Sequence, residues 1–165
     1  MSDGDAAKHL KVYLQDHSAG AVGALELLDH LSDAYRSDPL GAFFTELRSD
    51  IEADHNQLHN LMSALGLEES SLRNAGAWMA EKIGRIKLGI TSEEDAKLRL
   101  LQALETLLIG ITGKKMLWRA LAAVRESSPV LQRTDFAQME SRAAEQARRV
   151  EEQRLLAAQA AFRGS

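Results

Sequence analysis

Proline is almost absent from this chain, and its placement limits the fold more than any other feature. Only two of the 165 residues are proline, Pro39 and Pro129, and both stand between long stretches whose apolar residues recur at helical spacing. Because proline breaks the interior of a helix, its absence from these stretches favours long unbroken helices. No alternating β-branched run of useful length is present, which argues against strands. The sequence therefore predicts an all-α fold.

Helix-start signals place the ends of these helices. Asp38 before Pro39 is an N-cap followed by proline at the first helical position. Thr91 and Glu94 have the spacing of a capping box, and Thr134 is predicted to cap the last helix. The predicted helices cover residues 5–35, 39–65, 71–88, 92–126 and 134–162 of a single domain, 1–165.

The connections between the helices indicate the topology. Two short links predict two antiparallel hairpins. The middle connection, 66–91, instead holds an amphipathic stretch near 71–88. The apolar side of this stretch carries Leu72, Trp78, Met79, Ile83 and Ile86. At ~1.5 Å per helical and ~3.3 Å per extended residue it is long enough to cross a whole bundle. Such a crossover is the connectivity of ferritin-like folds, so we expect a ferritin-like four-helix bundle with a short extra helix in the crossover.

Composition and charge exclude several function classes. A net charge of −4 and a pI near 5.7 give no reason to expect nucleic acid as a partner. No apolar run approaches the ~20 residues that span a bilayer, so no membrane partner is expected. The chain has no cysteine, which excludes disulfides and thiolate chemistry. The polar, acidic start lacks a secretion signal, and we expect a cytoplasmic protein.

The histidines are distributed unevenly. All five lie within the first 59 residues: His9, His17, His30, His55 and His59. A helical wheel puts His17 at the centre of the apolar stripe of the first helix, where an unsatisfied imidazole costs on the order of 1–3 kcal/mol. Asp54 and His55, just inside the border of the apolar face of the second helix, are within reach across the hairpin. A lone core histidine is more often a hydrogen-bonded structural group than a metal ligand.

Glu52 and His55 lie three residues apart on the flank of the second helix, which also carries Arg48 and His59. Spacings of three and four let a metal take two ligands from one helix. Arg48, four residues before Glu52, predicts instead a surface ion pair worth roughly 0.2–0.5 kcal/mol. Two interpretations therefore stay open. One is a solvated, charge-paired flank, and the other is a metal set drawn from His17, Glu52, Asp54, His55 and His59.

Two cations and four glycines interrupt the apolar faces. Lys115 and Arg154 either point inward, where one of them would neutralise Asp54 or Glu52, or extend along the face to reach water. Gly20, Gly23, Gly110 and Gly113 lie inside helices, where each costs ~1 kcal/mol against alanine. Close helix packing is the favoured reason, with a bulge near a central site or a dimer contact as alternatives.

The helix order, the crossover and Glu52-x-x-His55 together resemble the ferritin-like superfamily, specifically bacterioferritin- and rubrerythrin-type bundles. The stretches 16–27 and 76–85 are similar to small bacterial members of it. The resemblance implies a di-iron site with a carboxylate from the first and third long helices and Glu-x-x-His from the second and fourth. Glu52 and His55 match the second-helix pair, and His17 takes the central position in the first helix.

The rest of the family's ligand set is incomplete in this chain. In the third long helix the candidate is Glu105, with Leu108 where a histidine could follow. In the fourth, Glu140 and Glu145 are followed three residues later by Ala143 and Arg148 rather than by histidine. We therefore do not expect an ordinary di-iron centre, iron storage or oxygen chemistry.

These observations support three hypotheses about function. The first is a non-catalytic bundle in a binding or structural role, without a cofactor, whose di-metal site is degenerate or replaced by a His17/Asp54/His55 polar cluster next to Lys115. The second is an iron- or manganese-dependent oxidoreductase with an asymmetric site from the first two helices. The third is a small-molecule binder with an apolar pocket bordered by Gly20, His17 and Trp118. A homodimer is compatible with each of them.

Overall fold

The computed structural model describes residues 3–67 and 93–163, which form helices joined by short turns and contain no strand. The elements are α1 (Asp3–Ala34), α2 (Pro39–Ala64), α3 (Glu93–Ala123), a 3-10 turn (Arg125–Ser127), α4 (Pro129–Gln132) and α5 (Phe136–Phe162). The all-α prediction is confirmed for this part of the chain, and the four long helices lie within three residues of their predicted ends. The predicted helix 71–88 and Thr91 lie outside the described residues. Of the helices described, none combines the length and apolarity needed to cross a membrane.

The described residues form two compact units. The first contains α1 and α2 together with residues 126–134, and the second contains α3 and α5. Each unit is an antiparallel hairpin of two long helices, as the short links predicted. The first hairpin carries all five histidines, and the second carries Glu105, Glu140 and Glu145.

The turn of the first hairpin brings two backbone segments very close together. The amide of Asp38 donates to the carbonyl of Tyr35 at 2.9 Å, and the Tyr35 and Phe44 rings pack with centroids 5.8 Å apart. A Cβ at Gly41, in the first turn of α2, would lie 2.4 Å from the Tyr35 carbonyl oxygen. Glycine at position 41 is therefore a steric requirement of this turn.

Helix α2 ends on a left-handed glycine. Gly66 has φ of 67°, and its amide donates to the carbonyl of Ser63 at 3.0 Å. The amide of Leu67 donates to the carbonyl of Met62 at 2.9 Å. These two bonds form a Schellman motif, which satisfies carbonyls that the last turn would otherwise leave without donors.

One of the two predicted N-caps that fall on described residues is confirmed and the other is wrong. The Asp38 carboxylate accepts from the amide of Leu40 at 2.8 Å, as predicted. Helix α5, however, is capped by Asp135, whose carboxylate accepts from the amide of Gln138 at 3.0 Å. The Thr134 hydroxyl instead donates to the carbonyl of Val130, because the short helix α4 ends there. Threonine and aspartate both cap helices well, so the sequence alone did not show which of the neighbours Thr134 and Asp135 is the cap.

In the first half of α1, the buried residues differ from the prediction that put His17 in the interior. Tyr13 is 37% exposed while Leu14 is fully buried, and His17 is half-buried while Ser18 is 1% exposed. Neighbouring residues point ~100° apart on a helix, so His17, which precedes the buried Ser18, lies at the edge of the interior rather than at its centre. The prediction of His17 as a core residue is therefore wrong.

The second hairpin is held by an apolar interior and by ion pairs along its side. Trp118 is 1% exposed and stacks on Phe136 with ring centroids 6.4 Å apart. Arg119 of α3 pairs with Glu140 of α5 at 2.5 Å. Close packing was predicted to explain the helix glycines, but a Cβ at Gly20, Gly110 or Gly113 would meet no atom within 4 Å. That explanation is wrong for these three glycines.

Candidate functional site

A hydrogen bond between polar side chains joins the two helices of the first hairpin. Ser18 of α1 is 1% exposed, and Asp54 of α2 is 2% exposed. The Ser18 hydroxyl oxygen and His55 Nε2 are hydrogen bonded at 3.0 Å, and His55 is half-buried. The sequence did not identify Ser18, whose only signal was that it directly follows His17, ~100° further round the helix. The predicted cluster of His17, Asp54 and His55 next to Lys115 stays a prediction.

His17 lies at the edge of the first hairpin. Its ring meets the ring of Tyr13 edge to face, with centroids 4.7 Å apart. Burial lowers the pKa of His17 from 6.5, because it disfavours the charged imidazolium, and the nearby Asp16 carboxylate opposes part of this effect. His17 is therefore held towards its neutral form.

Glu52 is an exposed residue in an ion-pair network. Arg48 Nη1 lies 3.1 Å from a Glu52 carboxylate oxygen, and Arg48 Nε donates to Asp29 of α1. The hydrogen bond to Asp29 raises the pKa of Arg48. The predicted pairing of Arg48 with Glu52 is confirmed, and Arg48 additionally links α2 to α1. His59, the other predicted ligand on this flank, is also exposed.

These positions do not assemble a ligand shell in the described part of the chain. Within residues 3–67 and 93–163, no three His, Asp or Glu side chains come together in a way that could hold a metal ion. His55 is directed to Ser18, and Glu52 is directed to Arg48. The metal set of His17, Glu52, Asp54, His55 and His59 stays a prediction.

The carboxylates that correspond to the family pattern in the second hairpin are also held by arginines. Glu140 is bound by Arg119, as described above. Glu145 binds Arg148 at 2.7 Å, and Glu105 lies 3.4 Å from Arg154. Glu52 and these three glutamates therefore each lie within ion-pair distance of an arginine.

The predicted inward cations take different places. Lys114, the neighbour of Lys115, binds a buried polar side chain. Its Nζ donates to Gln146 Oε1 at 2.5 Å, and Gln146 is 3% exposed. Lys115 is half-buried, and its predicted pairing with Asp54 or Glu52 stays a prediction. Arg154 binds Glu151 at 2.6 Å and lies 3.4 Å from Glu105, and its predicted pairing with Asp54 or Glu52 stays a prediction.

The third hypothesis concerned an apolar pocket next to Trp118. Trp118 is among the most buried large side chains, and its indole nitrogen has no hydrogen-bond partner within the described residues. The pocket that Gly20, His17 and Trp118 were predicted to border stays a prediction.

Comparisons with known proteins identify no relative. No protein-family model, no curated protein and no solved structure matches this chain.

Proposed function

We propose that this chain is a ferritin-like four-helix bundle that does not catalyse di-metal chemistry and that serves a binding or structural role. The ferritin-like architecture is supported by four long helices in two antiparallel hairpins, separated by the long connection 65–92. The non-catalytic role is supported by one observation in particular. The carboxylates at the family's ligand positions in the described helices are bound to arginine side chains rather than gathered round a metal.

The physical reason is competition for the carboxylate oxygens. A guanidinium is permanently charged and matches a carboxylate with several N–H donors, so it competes with a metal for the carboxylate oxygens. A metal at Glu52 would have to share the carboxylate with Arg48, which lies 3.1 Å from one of its oxygens, and the guanidinium charge would repel the cation. In the same way, a metal at His55 must compete with the bond between Nε2 and Ser18.

The proposal is tested by metal content. Purified protein, loaded with iron(II) or manganese(II) and then desalted, is expected to retain far less than one metal per chain. Far-UV circular dichroism and melting should be unchanged by a chelator. His55→Ala is the test variant, and His9→Ala is its matched control, because His9 is an exposed histidine on the same helix hairpin.

The proposal would be contradicted if the purified chain held one metal ion or more, if His55→Ala lost this metal, and if His9→Ala kept it. The helix content of both variants must be unchanged for this comparison. Such a result would support the iron- or manganese-dependent oxidoreductase instead. The ferritin-like part has its own test in an experimental structure. Two hairpins that do not share one four-helix core would refute it.

A further inference from the structure

The outward side of α3 carries two large apolar side chains in the middle of the helix. Ile109 is 63% exposed and Met116 is 61% exposed. They are seven residues apart, so they lie within ~20° of each other along one line of the helix. Single exposed apolar residues are common on protein surfaces, so Ile109 and Met116 indicate an interface only together with the residues near them.

Two glycines lie near the two apolar side chains: Gly113 is ~60° round the helix from Met116, and Gly110 is ~100° from Ile109. Gly110 and Gly113 both lie within α3, and a Cβ at either would meet nothing within 4 Å. The hairpin therefore gives no packing reason for two residues that destabilise a helix. Glycine does allow a second helix to approach closely, because no side chain separates the backbones.

The charges on this side are arranged symmetrically. Glu105 and Arg119 are exposed, have opposite signs, and each lies seven residues from Thr112. Two copies of α3 that cross antiparallel, with a twofold axis at Thr112 and Gly113, would bring Glu105 next to Arg119 of the partner subunit. The same operation places Ile109 opposite Met116 of the partner subunit to within one residue, because positions 105 and 119 are centred on 112 and positions 109 and 116 are centred between 112 and 113.

We propose that the chain forms a homodimer through this side of α3, defined by Glu105, Ile109, Thr112, Gly113, Met116 and Arg119. A twofold symmetric contact must be self-complementary, and this one is. Glu105 faces Arg119 of the partner subunit, Ile109 faces Met116 of the partner subunit, and the small residues Thr112 and Gly113 lie where the helices cross. Glu105 and Arg119 keep their partners within the hairpin, because a carboxylate accepts, and a guanidinium donates, more than one hydrogen bond. The proposal does not depend on the proposed function.

A charge exchange across the axis tests the geometry. The unmodified chain is expected to be dimeric by light scattering and sedimentation at roughly 10–100 µM. Ile109→Lys and Met116→Glu should each weaken the dimer at least ~30-fold, because each buries one unpaired charge. The variant that carries both substitutions should regain most of the loss, since the introduced ammonium of one subunit would pair with the introduced carboxylate of the other. Circular dichroism and melting separate lost association from lost folding.

A cross-linking experiment gives a second readout that does not depend on stability. The chain has no cysteine, so Thr112→Cys introduces a single thiol next to the proposed axis. A short bismaleimide should join two such chains efficiently, whereas Ser49→Cys, an exposed control on α2, should give little dimer. A monomeric unmodified chain, a double variant as weak as the singles, or equal cross-linking of the two thiols would each overturn the proposal.

Discussion

Replacing Gly41 by alanine would test the turn of the first hairpin. The new Cβ would lie 2.4 Å from the Tyr35 carbonyl oxygen and 2.9 Å from its carbonyl carbon. Atoms without a bond between them are normally separated by about 3.5 Å, so the backbone would have to move by about 1 Å. Overpacking of this kind lowers the free energy of unfolding by about 1–3 kcal/mol, and the higher helix propensity of alanine offsets at most about 1 kcal/mol of that loss. We therefore expect a net loss of about 1–2 kcal/mol.

Gly20→Ala is the matched control in the same hairpin. A Cβ at Gly20 meets nothing within 4 Å, so this variant should gain up to about 1 kcal/mol from propensity alone. The assay is urea unfolding followed by circular dichroism, in which equal slopes allow the midpoints to be compared as free energies. The two variants should differ by about 1–3 kcal/mol, with opposite signs. If Gly41→Ala is neutral or stabilising, the steric account of the turn is wrong.

Three further predictions concern the first hairpin. Gly66→Ala should lower the free energy of unfolding by about 1 kcal/mol, because Gly66 has a positive φ that alanine disfavours. Urea titration measures this change, and an unchanged midpoint would contradict the prediction. Ser18→Ala should cost about 1 kcal/mol by removing the partner of His55, whereas Ser49→Ala on the exposed side of α2 should not; equal effects would refute the role of the bond. Since the folded pKa of His17 lies below 6.5, stability should be fully present above pH 6.5 and fall as the pH drops through the folded pKa. His17→Gln should flatten this part of the stability–pH curve, and a slope identical to that of the unmodified chain would show that His17 is not responsible.

Helix boundaries and the hairpin topology could be predicted from the sequence because their signals are local. Pro39, with the Asp38 cap, fixes the start of α2, and Gly66 follows its end. Which residues in the first half of α1 are buried could be predicted less accurately. Leu14 and Tyr13 are neighbours that both satisfy an apolar pattern, and only the packing of the folded hairpin decides which one is buried.

The candidate site was predicted less completely, because side-chain partners depend on distances between helices. The Arg48–Glu52 pair follows from a spacing of four within one helix and was found as predicted. The bond between Ser18 and His55 joins residues 37 positions apart, and no periodicity specifies such a pair. The choice of Lys114 over Lys115 as the partner of Gln146 likewise depends on the register between α3 and α5.

The separation of the aromatic rings gives each hairpin its own optical signal. Both tyrosines, Tyr13 and Tyr35, belong to the first hairpin, and Trp118 is enclosed in the second. The other tryptophan, Trp78, lies outside the described residues, so a Trp78→Phe variant would leave a single indole emitter. Emission from Trp118 would then follow the melting of the second hairpin, and near-ultraviolet tyrosine absorbance would follow the first. Whether the two curves coincide would reveal how strongly the halves of this chain depend on each other for their stability.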